Sequence, residues 1–150
     1  MQRVGIKILI NMLCLSLFSS YNIAEEAWPW PDTMESTTAA SESHKVLYED
    51  DEIRILEVQV LEGEKEAMHS HKLPSVVIID SLPDSFVDTF IDGRSRTKNT
   101  ATKTKLFPII GTKGPETPHA ISNTGDALMH IYRFEFKNIE FRNIKKKKRR

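Results

Sequence analysis

The sequence predicts an all-β fold, a sandwich or barrel built from many short strands. From His44 onward, short apolar or alternating segments recur, and turn-forming residues separate them at intervals of roughly eight to twelve residues. No segment after the N-terminal region has a convincing helical period. A chain of 150 residues can bury one core, so we expect one domain plus short extensions.

Strands of the first half alternate between apolar and polar side chains. Lys45 to Tyr48 is a short predicted strand that ends at the acidic turn 49–52. Ile53 to Leu61 alternates with period two, and its parity changes at Ile55-Leu56, which indicates a β-bulge. After a turn at Gly63, the apolar run Val76 to Ile79 is typical of a buried strand.

The second half begins with a hairpin. Asp92-Gly93 separates the segment Phe86 to Ile91 from the polar run 94–105, and Asp-Gly is a strong hairpin signal. The remaining predicted elements are the apolar segment Leu106 to Ile110, a Gly/Pro-containing loop at 111–118, a strand that starts at His119, and a long strand from Ala127 to Phe136.

Residues 1–24 have the composition of a secretory signal peptide. Arg3 and Lys7 give a positive start, Ile8 to Phe18 is apolar, and small residues suit cleavage after Ala24. The apolar run is shorter than the roughly 20 residues that a membrane span needs. We therefore expect export to the periplasm or the extracellular space, with an uncleaved anchor as the alternative.

The single cysteine, Cys14, lies within that segment, so the exported chain would contain none. It could form no disulfide and would offer no thiolate ligand, and any metal would bind imidazole, carboxylate or water. The segment 25–144 carries 13 basic and 21 acidic side chains, a net charge of −8. This acidic balance argues against nucleic acid as a partner, because phosphate binding needs clustered Lys and Arg.

Two segments flank the predicted domain, which spans residues 44–138. Residues 25–43, with Trp28 and Trp30 in a Trp-Pro-Trp-Pro run, are expected to form a linker or a loosely docked arm. The rings either dock on a groove or a second subunit, or stay partly exposed. The basic tail 139–150 would be solvated, or would contact anionic lipid weakly.

The main chemical signal is the sequence Gly63-Glu-Lys-Glu-Ala-Met-His69-Ser-His71. On a strand, residues two apart point to the same face, so His69 and His71 can chelate one metal ion. His119 is a third candidate, because strands of a closed barrel can face each other across its lumen. Imidazole ligands suit iron, manganese, nickel, copper or zinc. The alternative is an exposed histidine pair without metal.

At these residues the sequence resembles a small single-domain bacterial cupin of the RmlC-like superfamily. Gly63, His69 and His71 match the spacing of the family's first motif, and His119 and Asn123 match the end of the second. The resemblance covers His44 to Phe136. It implies a jelly-roll (double-stranded β-helix) barrel with one divalent transition metal inside.

The sequence departs from the family's pattern at its carboxylate ligand. Ser75 stands where the first motif places Glu, which suggests a site of three neutral histidines. Such a site leaves the full charge on the metal and favours an anionic ligand group. Glu116 could reach the site, but is expected to be a solvated loop carboxylate. His130 is expected to point inward, more as a hydrogen-bonded core residue than as an acid or base, and His44 is assigned no role.

Three functions remain open from the sequence. The first is a metal-dependent enzyme, of dioxygenase or isomerase type, on a small organic substrate. The second is a non-catalytic module that binds a small ligand, and the third is a scaffold in which the site only stabilises the fold. Cupin folds host many activities, so the fold does not choose among them. A homodimer also stays open.

Overall fold

The computed structural model of the protein describes residues 28–100 and 106–138. The predicted signal peptide (1–24) and basic tail (139–150) lie outside these ranges. Within them, no helix has the length and apolar character needed to cross a membrane. The described strands are β1 (His44–Glu49), β2 (Ile53–Val60), β3 (His69–His71), β4 (Ser75–Ser81), β5 (Ser85–Phe90), β6 (Ser95–Asn99), β7 (Ile109–Lys113), β8 (Glu116–Asn123) and β9 (Met129–Phe136).

These strands form two antiparallel sheets, which confirms the all-β prediction. One sheet has the order β1-β2-β9-β4-β7 and the other β3-β8-β5-β6. Side chains of both sheets line a common cavity, so the sheets face each other. The non-sequential order is that of a jelly roll, in which long connections cross between the sheets.

The predicted bulge is in β1 rather than in β2. β2 pairs with β9 without interruption, and the register shift lies between Val46 and Tyr48 on the opposite strand. The inward side chains of β2 include Arg54, which is buried beside Leu56. Because the inner face of β2 carries this charged residue, apolar alternation alone placed the irregularity on the wrong strand.

The Asp-Gly hairpin is confirmed, whereas the predicted loop 111–118 is wrong. Gly93 adopts a φ of 82°, and the Phe90 carbonyl accepts its N–H at 2.9 Å. In the loop, Gly111 pairs with Val77 of β4, and β8 already starts at Glu116. Pairing with a neighbouring strand therefore overrides the local turn preference, and only residues 114–115 separate β7 from β8.

Residues 28–43 of the arm pack on the barrel and contain two short helical turns, which the sequence did not predict. They are a 3-10 turn, Asp32–Met34, and α1, Ser36–Ala39. Ser70 Oγ donates to the Met34 carbonyl at 3.2 Å. Trp28 and Trp30 are both half-buried. Four helical residues are too few to produce a helical period, so only tertiary contacts reveal this turn.

Candidate metal centre

β3 and β8 bring the three predicted histidines together. His69 is the direct register partner of His119, and both His69 and His71 are buried. The ring centroids lie 5.0 Å apart for His69–His71, 4.9 Å for His69–His119 and 5.8 Å for His71–His119. All three rings line the same cavity, as expected for neighbouring strands that share an inner face.

His44, for which no role was expected, belongs to the same cluster. It is the first residue of β1 and is 3% exposed. Its ring centroid lies 4.4 Å from that of His69 and 5.2 Å from that of His71. The ligand atoms of these three residues all lie within 4.8 Å of one another, a grouping that His119 does not share. His44 pairs with the inward Val58 of β2, and the other five residues of β1 are exposed, so no alternation along β1 marked His44 as an inward residue.

Hydrogen bonds orient three of the rings through Nδ1. His69 Nδ1 lies 2.9 Å from the Ala67 carbonyl, to which it can only donate. His44 Nδ1 lies 3.0 Å from Ser43 Oγ, which can accept from the ring while it donates to the Ala40 carbonyl at 3.2 Å. With the proton on Nδ1, each ring leaves the Nε2 lone pair free. This is the usual arrangement of metal-binding histidines, whose other nitrogen is held by a protein acceptor.

His71 receives its acceptor from Glu135, which the sequence analysis missed. Glu135 is fully buried on β9, and its Oε1 lies 3.1 Å from His71 Nδ1. Its Oε2 accepts from Arg54 Nε at 2.6 Å. Glu135 is the register partner of Ser75, so a carboxylate lies beside the position where the family's pattern has one, but on the neighbouring strand.

Burial keeps the four imidazoles neutral. Loss of solvation lowers the pKa of each of them, well below the usual value for His71 and to about 4 for His119. Neighbouring imidazoles and the Arg133 guanidinium act in the same direction. Neutral imidazole is the form that binds metal, so the donor set fits a borderline divalent ion such as iron or zinc.

The sequence assigned the wrong face of β9 to the interior. Cavity-lining residues on this strand are Met129, Ile131 and Arg133, while His130 points to the outer face. There its Nδ1 lies 2.8 Å from Asp80 Oδ2 and its Nε2 3.1 Å from Glu57 Oε1. His130 is therefore hydrogen-bonded, as expected, but lies neither in the core nor near the cluster. The apolar residues 128, 132, 134 and 136 suggested the opposite parity because the inner face carries Arg and Glu.

Glu116 is part of the cavity wall rather than a solvated loop residue. Its Oε2 accepts from Arg133 Nη1 at 2.6 Å and its Oε1 from Lys113 Nζ at 2.7 Å. Burial alone would raise the pKa of Glu116, but Arg133 and Lys113 outweigh it and lower the pKa to about 2. The Glu116 carboxylate is thus ion-paired with two cations.

Asn123, which matches the end of the second motif, holds a turn. Its Nδ2 donates to the carbonyls of Val60 at 2.9 Å and Ala127 at 2.8 Å. Its Oδ1 accepts from the Gly125 N–H at 3.1 Å. This buried amide fixes the end of β8 against β2, and none of these three hydrogen bonds involves a histidine.

The histidines open into a cavity of about 530 Å³ between the two sheets. Such a volume is within the usual range for small-molecule sites. Its apolar wall comes from both sheets and the loops between strands, and consists of Val58, Val77, Ile79, Leu82, Phe86, Phe90, Pro115, Ile121, Met129 and Ile131.

Comparison with solved structures identifies the fold. A cupin domain from Bordetella pertussis superimposes with a TM-score of 0.51 at 17% identity, covering 63% of this chain and 91% of that one. The fold is that of a small cupin. An RmlC-like cupin from Methanocaldococcus jannaschii, described as a double-stranded β-helix, is also similar (TM-score 0.44, 13% identity, 62% of this chain and 77% of that one). A cupin superfamily protein from Desulfitobacterium hafniense gives a TM-score of 0.40 at 16% identity, covering 62% and 74%.

No protein-family model and no curated protein sequence matches this chain. The similarity to the solved cupin structures is thus a similarity of backbone geometry and not of sequence. One fold hosts many chemistries, so the fold alone does not assign a function.

Proposed function

We propose that this cupin binds one divalent transition metal through the histidine cluster and presents it to a small organic ligand in the cavity. The supporting observation is that imidazoles from three strands converge, with the ring centroids of the contacting pairs 4.4–5.8 Å apart. His69, His71 and His119 are the ligands expected from the sequence, and His44 joins them. When bound, the metal would act as a Lewis acid toward an oxygen atom of the ligand.

The cavity favours a role in small-molecule chemistry over a purely structural metal. A structural site is usually closed by protein ligands, whereas a site that acts on a ligand keeps a position open. Here the cluster opens into about 530 Å³ with a largely apolar wall. An enzyme of dioxygenase or isomerase type and a non-catalytic binding module would both use this arrangement, and turnover of a bound ligand distinguishes them.

The five histidines of the chain provide the test and its control. The full chain, purified without an affinity tag, is equilibrated with Fe²⁺, Mn²⁺, Zn²⁺, Ni²⁺ or Cu²⁺ in turn, dialysed and measured by plasma mass spectrometry. We expect about one metal ion per chain, as for a mononuclear site. Changing His44, His69, His71 or His119 to Ala should lower this content, whereas His130→Ala on the outer face should not.

Co²⁺ absorption spectra add a readout of coordination, because they report the number and geometry of ligands. A change in the spectrum of folded His44→Ala protein would identify His44 as a ligand. Wild-type protein that retains none of the five metals, or four cluster variants with unchanged content, would refute the site.

We also infer that the chain is exported with cleavage after Ala24. The support is the order of positive, apolar and small residues in 1–24, with Arg3 and Lys7 ahead of the apolar run. Mass analysis of the protein from the exported fraction should give an N-terminus near Glu25. Intact Met1 in the soluble fraction would contradict this inference.

A further inference from the structure

Arg133 is a buried cation with unused hydrogen-bonding capacity. It lies on the inner face of β9, is 5% exposed and lines the cavity together with the histidines. Nη1 donates to Glu116 Oε2 at 2.6 Å, and Nε lies 3.2 Å from Glu135 Oε1 without hydrogen-bond geometry. Nη2 is buried and has no acceptor among the described residues.

A buried guanidinium N–H without an acceptor is costly, because the solvation it has lost is not replaced. The position of this N–H group in a side chain that lines the cavity points to an acceptor that a ligand supplies. A carboxylate is the matching group, since its two oxygens fit the planar guanidinium donors.

The charges around the cavity agree with an anionic ligand. Among the described residues, cationic side chains outnumber acidic ones in the lining, namely Arg96, Lys98, Lys113 and Arg133 against Glu66, Asp88 and Glu116. Glu116 is shared between two of the cations, and Glu66 accepts the Ile121 N–H at 3.1 Å. A divalent metal on neutral imidazoles would add to the positive excess.

The apolar wall restricts the rest of the ligand. Phe86 and Phe90 of β5 line the cavity from one sheet, and Met129 and Ile131 of β9 line it from the other. These side chains would bury an aromatic or branched body, whereas they leave a fully polar anion such as phosphate without contacts for most of its surface.

We propose that Arg133 recognises the carboxylate of a small, largely apolar organic acid, and that such acids are the ligand class of this cavity. This rests on the proposed function, in that the acid is the ligand presented to the metal. Arg133 selects the acid, and the imidazole-bound metal contacts it.

The probes are phenylacetate and its neutral counterpart phenylacetamide, titrated calorimetrically into the full chain, both metal-free and loaded with Zn²⁺. Wild-type protein should bind phenylacetate at least about tenfold more tightly than phenylacetamide in both forms, because charge-assisted hydrogen bonds are the stronger kind. Arg133→Lys keeps the charge but loses the planar donor pair. It should lose most of this preference while phenylacetamide affinity is unchanged.

Arg54→Lys is the matched control. Arg54 is also an inward guanidinium bound to Glu135, but it does not line the cavity. The Arg54→Lys variant should differ from wild type in stability, but it should keep the wild-type preference for phenylacetate over phenylacetamide. Circular dichroism checks the fold of both variants.

The outcomes separate this inference from the proposed metal site. Equal binding of acid and amide by metal-free wild-type protein overturns it without the need for any variant. Arg133→Lys protein with wild-type preference also overturns it, since the planar guanidinium would then not be the group that selects the acid. If the chain binds no metal but keeps an Arg133-dependent preference, the acid-binding role stands and the proposed metal function fails.

Discussion

Glu135→Gln removes one buried charge while keeping the size of the side chain. The carboxylate is 0% exposed and has three close partners, namely Arg54 at 2.6 Å, His71 at 3.1 Å and Arg133 at 3.2 Å. Removing one member of a buried ion pair costs about 3–5 kcal/mol, since the remaining charge stays buried. Arg54 keeps Glu35 at 2.6 Å, so we expect the lower end, about 3 kcal/mol.

The substitution should also change the tautomer of His71. If the Gln oxygen stays on Arg54, its NH₂ group faces His71 Nδ1, and two donors then meet. The ring can relieve this conflict by moving its proton to Nε2, which removes the lone pair that would bind metal. Loss of such an outer hydrogen bond typically lowers metal affinity by about 10–100-fold.

Urea unfolding of metal-free protein and a competition titration with Zn²⁺ measure the two effects separately. Glu57→Gln is the matched control, because Glu57 also bonds a histidine, His130, at 3.1 Å but on the outer face. Glu57→Gln should lower stability far less than Glu135→Gln does, because solvent screens this pair, and it should leave metal affinity unchanged. A Glu135→Gln protein with wild-type stability and wild-type Zn²⁺ affinity would refute the reasoning.

Two further substitutions test the remaining polar contacts. Ser75→Glu should lower the urea midpoint, because its carboxylate would be buried next to that of Glu135. Ser75→Ala should raise the urea midpoint slightly, because it removes a buried hydroxyl that has no partner among the described residues. An unchanged midpoint for Ser75→Glu would contradict this. For His130, partial burial lowers the pKa, but the hydrogen bonds to Asp80 and Glu57 outweigh it and raise the pKa above 6.5. Lys45 on β1 is the cation that lies near Glu57. His130 therefore stabilises the fold below its unfolded-state pKa, and this contribution is lost as the pH rises through its higher folded-state pKa. The stability difference between wild type and His130→Gln should thus be larger at about pH 5.5 than at about pH 8.5, and equal differences would exclude this effect.

The predicted effect of Ser75→Glu differs from what the family resemblance alone suggests. Viewed from the sequence, Ser75 leaves a ligand position vacant, and a carboxylate there should strengthen the binding of a hard cation. The structure confirms that Ser75 faces inward, but Glu135 already occupies the adjacent position on β9. Two buried carboxylates on neighbouring strands repel each other, so the substitution should cost stability.

Much of the candidate site was predictable because its signals are local. His69 and His71 are two residues apart on one strand, and the alternation of side chains alone places them on one face. The Asp92-Gly93 turn is likewise decided by the conformational freedom of glycine at a positive φ. The expected role of His69 and His71 as metal ligands stays a prediction.

The charged residues of the interior could not be predicted in the same way. On β9, apolar side chains at 132, 134 and 136 alternate with Arg133 and Glu135, and hydrophobicity alone assigns the aromatic face to the core. The actual inner face is the charged one, since Arg54, Glu116 and His71 supply partners from three other strands. A buried charge is tolerated only where such partners exist.

The sequence by itself determined the strand-rich class, the hairpin and the shared face of the histidine pair, because each depends on residues within a few positions of one another. Only the tertiary structure decided that His44 joins the cluster, that Glu135 orients His71 and that Arg133 faces the cavity. Each of these depends on which strands pair, and in what register. Strand pairing is set by the burial of both sheets together, and a shift of one residue would turn every side chain of a strand to its other face.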